Sequence, residues 1–132
     1  MELNFTISEM LASDTAKLNN IKNVPTLSAL ENMMKLIFYV LQPLRDKLGK
    51  PIIVTSGFRC AALNSLVGGK PTSQHLSGEA ADIRVNGCSA STLFEYIKGS
   101  GVPYDQCILE YGQWVHISYR HGKNRLQAFK ID

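Results

Sequence analysis

The period of the apolar residues changes partway along this chain, and that change restricts its fold more than any other feature. Leu27, Leu30, Met34, Ile37, Phe38 and Leu41 recur at spacings of three and four, which places them on one face of a helix. Leu44 and Leu48 continue that face, Pro25-Thr26 opens it and Gly49 closes it. Pro43 lies inside the pattern and is expected to kink or break it, since proline lacks an N–H and crowds the preceding turn. Directly afterwards, Ile52-Ile53-Val54-Thr55 is β-branched throughout and reads as a buried strand.

From there the strand-like runs continue. Ala80 to Val85 reads as a second strand, and Gln106–Tyr111 with Trp114–Tyr119 as a hairpin around Gly112-Gln113. Leu126 to Ile131 reads as an added edge strand. Ala61–Val67 reads as one or two helical turns closed by Gly68-Gly69, and Ser91–Lys98 as a helix stopped by Gly99-Ser100-Gly101. At the N-terminus, Thr6 is placed to cap a short helix ending near Ala12, with Glu9 as capping-box partner and Phe5 and Met10 as the staple. Residues 13–25 read as a second short helix or an ordered loop. Helices gathered at one end and strands at the other predict an α+β fold. At 132 residues the expectation is one domain, residues 1–132, that buries a core without disulfides.

Composition excludes several classes. A net charge of +3 is too weak a basis for a nucleic-acid partner. The longest apolar stretch, Leu36–Leu41, is too short to span a bilayer. Three cysteines, Cys60, Cys88 and Cys107, form no CxxC pair and read as free thiols from a reducing compartment. MELNFTISEM shows no basic region followed by an apolar run, so the expectation is cytoplasmic synthesis without a signal peptide. The chain is expected to be a monomer.

The chemistry concentrates in Ser73–Val85, SQHLSGEAADIRV. A polar loop ahead of a strand would explain most of it. His75 on the loop and Asp82 in the strand suggest instead two ligands of a metal, with a third from another histidine. His116 and His121 are the remaining histidines. His116 is favoured, because a strand holds a ligand more firmly than the turn around His121. Gly78 permits a tight turn between the two ligands, and Ala80 and Ala81 leave room beside the ion.

Those residues also form a pattern. Ser73 to Asp82 matches S-x-H-x-x-G-x-A-x-D, Ser56-Gly57-Phe58-Arg59 matches S-G-[YF]-R, and Trp114-Val115-His116 matches W-x-H. From roughly Leu27 to Tyr119 the chain therefore resembles the zinc D-alanyl-D-alanine carboxypeptidase family, peptidase M15, and most of all its short single-domain bacterial and phage members. The resemblance implies an antiparallel sheet with helices packed on one side and a zinc cleft over the sheet. It implies zinc held by His75, Asp82 and His116, and hydrolysis of amide bonds in peptidoglycan stem peptides. It implies that Arg59 holds a substrate carbonyl or carboxylate and that Ser73 lies near the substrate. Trp114 is expected to be an apolar wall of core or cleft. Such an enzyme would reach the wall only after release, for example through a phage holin.

One position departs from the family. Many members carry a catalytic carboxylate three residues before the last histidine, where this chain has Gln113; an amide cannot take a proton from water. The hedgehog signalling domain shares the zinc fold and has its glutamate six residues before that histidine, the position of Glu110 here. Glu110 is therefore assigned as the base. The assignment needs a hairpin turn with an odd number of residues, placing Glu110 opposite His116. A two-residue turn would point it away, favouring a zinc-containing binding module without turnover; a phage structural component is a further alternative. Glu79 and the basic run Arg120–Arg125 are expected to be solvated.

Overall fold

The computed structural model describes residues 3–132; Met1 and Glu2, at the head of the stretch read for an export signal, lie outside the described residues. Two short helices open the chain, α1 (Ile7–Leu11) and α2 (Asp14–Leu18). Thr6 caps α1 as its spacing predicts, its hydroxyl accepting from the Glu9 N–H at 3.1 Å, and Phe5 and Met10 are both buried. Thr26 caps α3 (Leu27–Leu36) in the same way, accepting from Ala29 N–H.

Pro43 does not break the long helix. A single π turn over Ile37–Leu41 leads directly into α4 (Gln42–Leu48), and the Gln42 N–H reaches back to the Ile37 carbonyl. The widened turn accommodates a ring that would otherwise meet the preceding carbonyls. Gly49 ends α4 at φ +67°.

The helical face that packs inward is the expected one only in part: Ile37, Leu41 and Leu44 are buried, and Leu30 and Leu48 pack partly buried against the core. Leu27 is 72% exposed, Met34 58% and Phe38 49%. Ala29, Met33, Leu36 and Val40 are buried as well, so the inward face is turned toward them. Both sets of positions fit a three-to-four spacing, so periodicity could not fix how far the inward face is rotated. Contact with the loop before the second strand favours Ala29: an added Cβ at Gly78 (φ +75°) would overlap the Ala29 carbonyl.

Five strands form one sheet: β1 (Ile53–Ser56), β2 (Ala80–Arg84), β3 (Gln106–Glu110), β4 (Trp114–Ser118) and β5 (Gln127–Ile131), in the order β1-β2-β4-β3-β5. Helices α5 (Ala61–Leu66) and α6 (Ala90–Gly99) lie between them in sequence. β1 is an edge strand with a register shift between Val54 and Ser56, and is only partly buried rather than a buried strand. The sheet is mostly antiparallel, with one exception: β5 runs parallel to β3. Both flanks of β4 are already paired, so β5 cannot add to its neighbour in sequence and takes the outer edge of β3. It arrives beside the start of that strand, where Gln127 N–H donates to the Asp105 carbonyl, and then runs the same way.

Alternation along the strands separates two faces. Ala81, Ile83, Cys107, Leu109, Val115 and Ile117 join the helices in one buried cluster, with Leu93, Phe94 and Ile97 contributed by α6. Each large apolar side chain so buried contributes about 1.5–3 kcal/mol. Asp82, Ile108, Glu110, Trp114 and His116 occupy the opposite phase of their strands. Among the described residues no helix is long and apolar enough to cross a membrane.

Candidate metal centre

Asp82 on β2 and His116 on β4 are direct cross-strand partners in the middle of the sheet, so their side chains emerge together on one face. His75 reaches them from the loop preceding β2. Each of the three offers a ligand atom within 4.8 Å of the others, and all three residues are buried. Asp82 Oδ1 is 3.2 Å from His75 Nε2 and 3.1 Å from His116 Nδ1. His121 is elsewhere, with Nδ1 2.9 Å from the Tyr119 hydroxyl. Ala80 shares the face of Asp82, whereas Ala81 joins the core cluster on the other face and does not border the ion's site.

The loop carrying His75 is held at two points. The Arg59 N–H donates to the His75 carbonyl at 3.0 Å, and His75 Nδ1 lies 2.6 Å from the Gly57 carbonyl. A carbonyl only accepts, so the ring proton belongs on Nδ1 and neutral His75 presents a lone pair at Nε2. That lone pair faces a carboxylate oxygen. Two buried acceptors face to face require a proton or a cation between them. Two imidazoles with one carboxylate, one ring oriented by a backbone carbonyl, are a donor set suited to zinc. Burial pushes the Asp82 carboxyl up, but hydrogen bonding to His116 and His75 outweighs it and holds the group well below the usual carboxylate range.

Arg59 stands behind Asp82. Its Nη2 is 3.5 Å from Asp82 Oδ2, its Nε donates to Ser56 Oγ at 3.2 Å, and its Nη1 donates to buried Asn64 at 3.2 Å. Ser73 accepts the His75 N–H at 3.2 Å, so it shapes the ligand loop from within. Glu79 is half-buried, not solvated: it accepts from Ser77 Oγ at 2.5 Å and lies 3.8 Å from Arg120 Nε.

The hairpin turn is Tyr111-Gly112-Gln113, three residues long, with Tyr111 at φ +54° and Gly112 at φ +64°. Glu110 pairs with Trp114 and Ile108 with His116. Glu110 thus lies on the His116 face, as an odd turn requires, but it is not directly opposite His116: Ile108 takes that place, and Glu110 lies two pairs further along the ladder. Trp114, expected as an apolar wall, is half-buried beside Glu110. Its indole N–H donates to Glu110 Oε2 at 2.6 Å and holds the carboxylate. An open groove of about 690 Å³ runs over this face, lined by His75, His116, Glu110 and Arg59 together with Phe129 and Ile131 from β5.

Several residues of the site have no sequence signal of their own. Gly57 is inside the S-G-[YF]-R element, and its carbonyl could have been suspected. Asn64, Asp105 and the β5 side chains arrive only through tertiary contacts.

An α+β domain whose sheet gathers two buried imidazoles and a carboxylate around one point defines a zinc protein. The comparisons make this specific. The model of the family described as Peptidase M15 matches residues 3–118, and the chain belongs to the peptidase M15 family. Over 44 residues it is 50% identical to the zinc D-Ala-D-Ala carboxypeptidase of Streptomyces albus G, an alignment covering 33% of this chain and 17% of that relative.

Proposed function

We propose that the chain is a zinc-dependent peptidase that hydrolyses an amide bond in peptidoglycan stem peptides. His75, Asp82 and His116 hold the metal and Glu110 serves as general base. The observation that carries this reading is the three-residue turn, which sets a carboxylate on the same face as the His–Asp–His cluster. Zinc, held there, would polarise a peptide carbonyl and make water more acidic. Glu110 takes the proton from the attacking water at its carboxylate and hands it to the leaving amine. The Trp114 indole keeps that carboxylate aimed while the proton moves. Arg59 keeps Asp82 oriented and offers its remaining N–H groups to a substrate oxygen. Gln113 lies in the turn and takes no part. The alternative, a zinc-containing binding module without turnover, rests on the amide at Gln113 where many members carry a carboxylate; the three-residue turn, which sets Glu110 on the His116 face, favours the enzyme.

The test is digestion of purified peptidoglycan with the zinc-loaded protein, the released ends being identified by mass spectrometry. Turnover is expected in the wild type, with a loss of about 10²–10⁴-fold in Glu110→Gln at unchanged zinc content. Unaltered turnover in Glu110→Gln would remove the base assignment. A fully zinc-loaded protein that cuts no fragment would remove the enzyme reading.

A further inference from the structure

We propose that Arg125 is a specificity-determining residue that binds a carboxylate of an anionic peptide lying in the groove; that this peptide is a substrate rests on the peptidase reading, but the binding does not. Asp105, at the turn into β3, is 0% exposed. Four donors converge on it: Gln74 Nε2 at 2.9 Å, and the Arg125 N–H, Nε and Nη2 at 2.9, 2.9 and 2.8 Å. A carboxylate gripped from four directions cannot swing. The guanidinium bound edge-on to it is therefore fixed in plane and position.

That arrangement is asymmetric. Asp105 is fully buried, yet the Arg125 side chain is 45% exposed. Its Nη1 makes no hydrogen bond to protein among the described residues. An ordinary exposed ion pair is worth little, and a lysine would serve it as well. Here a buried carboxylate pre-orients one edge of an arginine and leaves the other edge at the groove. Lys70, Arg59 and Arg125 line that groove against the single carboxylate of Glu110, so it favours an anionic occupant. Phe129, four residues on, pairs with Ile108 across from His116 and lines the same groove. A peptide stem lying there would meet an apolar surface next to the cation. Arg125 and β5 both lie beyond residues 3–118, the part matched by the family model, so this wall of the groove belongs to the chain's own C-terminal segment.

The experiment uses short stem-type peptides in which each carboxylate, terminal or side-chain, is replaced singly by its amide. Binding to the zinc-loaded protein is followed by the fluorescence of Trp114, the one tryptophan, and hydrolysis of the same peptides is followed separately. In the wild type, amidation of one particular carboxylate should weaken binding about tenfold or more, as loss of a charge-assisted bidentate contact does. In Arg125→Lys that ratio should shrink to within about twofold, while Arg84→Lys, an exposed arginine outside the groove, leaves it in place. A purely structural role for Arg125 would lower the melting temperature without changing the ratio, and that result overturns the proposal. So does a wild type that treats every carboxylate and its amide alike. Should Arg125→Lys not fold, the Arg125 Nε–H resonance of the wild type is the readout: it should move with the acidic peptide and stay with the amidated one. Discrimination without hydrolysis would sink the enzyme reading and leave Arg125 standing; hydrolysis with an unchanged ratio in Arg125→Lys would do the reverse.

Discussion

Asp105→Asn should make the protein less stable at neutral pH, by an amount that largely disappears in acid. The Arg125 hydrogen bonds outweigh burial and, with Gln74, hold the Asp105 carboxyl at about 2, against an ordinary 3.8. A carboxyl with a depressed folded-state value contributes stability that is fully present above its unfolded value and is lost as pH falls through its folded value. The window here runs from about pH 4 down to about pH 2. Just under two units at about 1.4 kcal/mol each sets a ceiling near 2.5 kcal/mol. Arg125 is half-exposed and screened by solvent, which brings the charge-dependent part to about 1–2 kcal/mol. The assay is urea unfolding of wild type and variant from pH 7 to pH 2.5, followed by circular dichroism. Contributions shared by the two proteins, including protonation of Asp82 and any loss of metal, cancel in the difference. That difference should narrow by about 1–2 kcal/mol between pH 4.5 and pH 2.5. A gap of constant size across the range would show that the four-donor geometry does not depress the Asp105 carboxyl and would refute the reasoning.

Elemental analysis should find about one tightly held zinc per chain, as a three-ligand site predicts; His75→Ala and His116→Ala should each abolish it, whereas His121→Ala, bonded to Tyr119, should not, and the opposite pattern would mean a different ligand set. Arg59→Lys should keep zinc but lose about tenfold or more in kcat/KM, because one ammonium cannot replace a fork that reaches Ser56, Asn64 and Asp82 together; full activity would make Arg59 dispensable to the site. Gly78→Ala should cost at least about 2 kcal/mol in unfolding experiments, since it adds contact with the Ala29 carbonyl to left-handed strain. Gly68→Ala, with φ +78° and open space around it, should cost only the strain, about 1 kcal/mol, and equal costs for the two would contradict the packing described.

The three residues that cluster at the candidate metal centre, and most of the elements that carry them, were legible in the linear chain, because local rules govern them. Thr6, Thr26 and Gly49 mark helix ends through hydrogen bonds spanning a few residues, and the loop-to-strand step from His75 to Asp82 is a short-range arrangement that the motif preserves. Other features required the tertiary structure. The rotation of the long helix's inward face, which takes in Ile37, Leu41 and Leu44 as expected but Ala29 and Met33 in place of Leu27 and Met34, depends on contacts such as that of Gly78 with Ala29. The direction of β5 followed from which sheet edge was still unpaired, something no local pattern encodes. The position of Glu110 depended on whether the turn held two residues or three, because a change of one residue sends every side chain of a strand to the other face. Arg125 looked like one cation in a basic turn. Only the folded chain brings it to Asp105, twenty residues earlier, whose burial turns an exposed arginine into an oriented one.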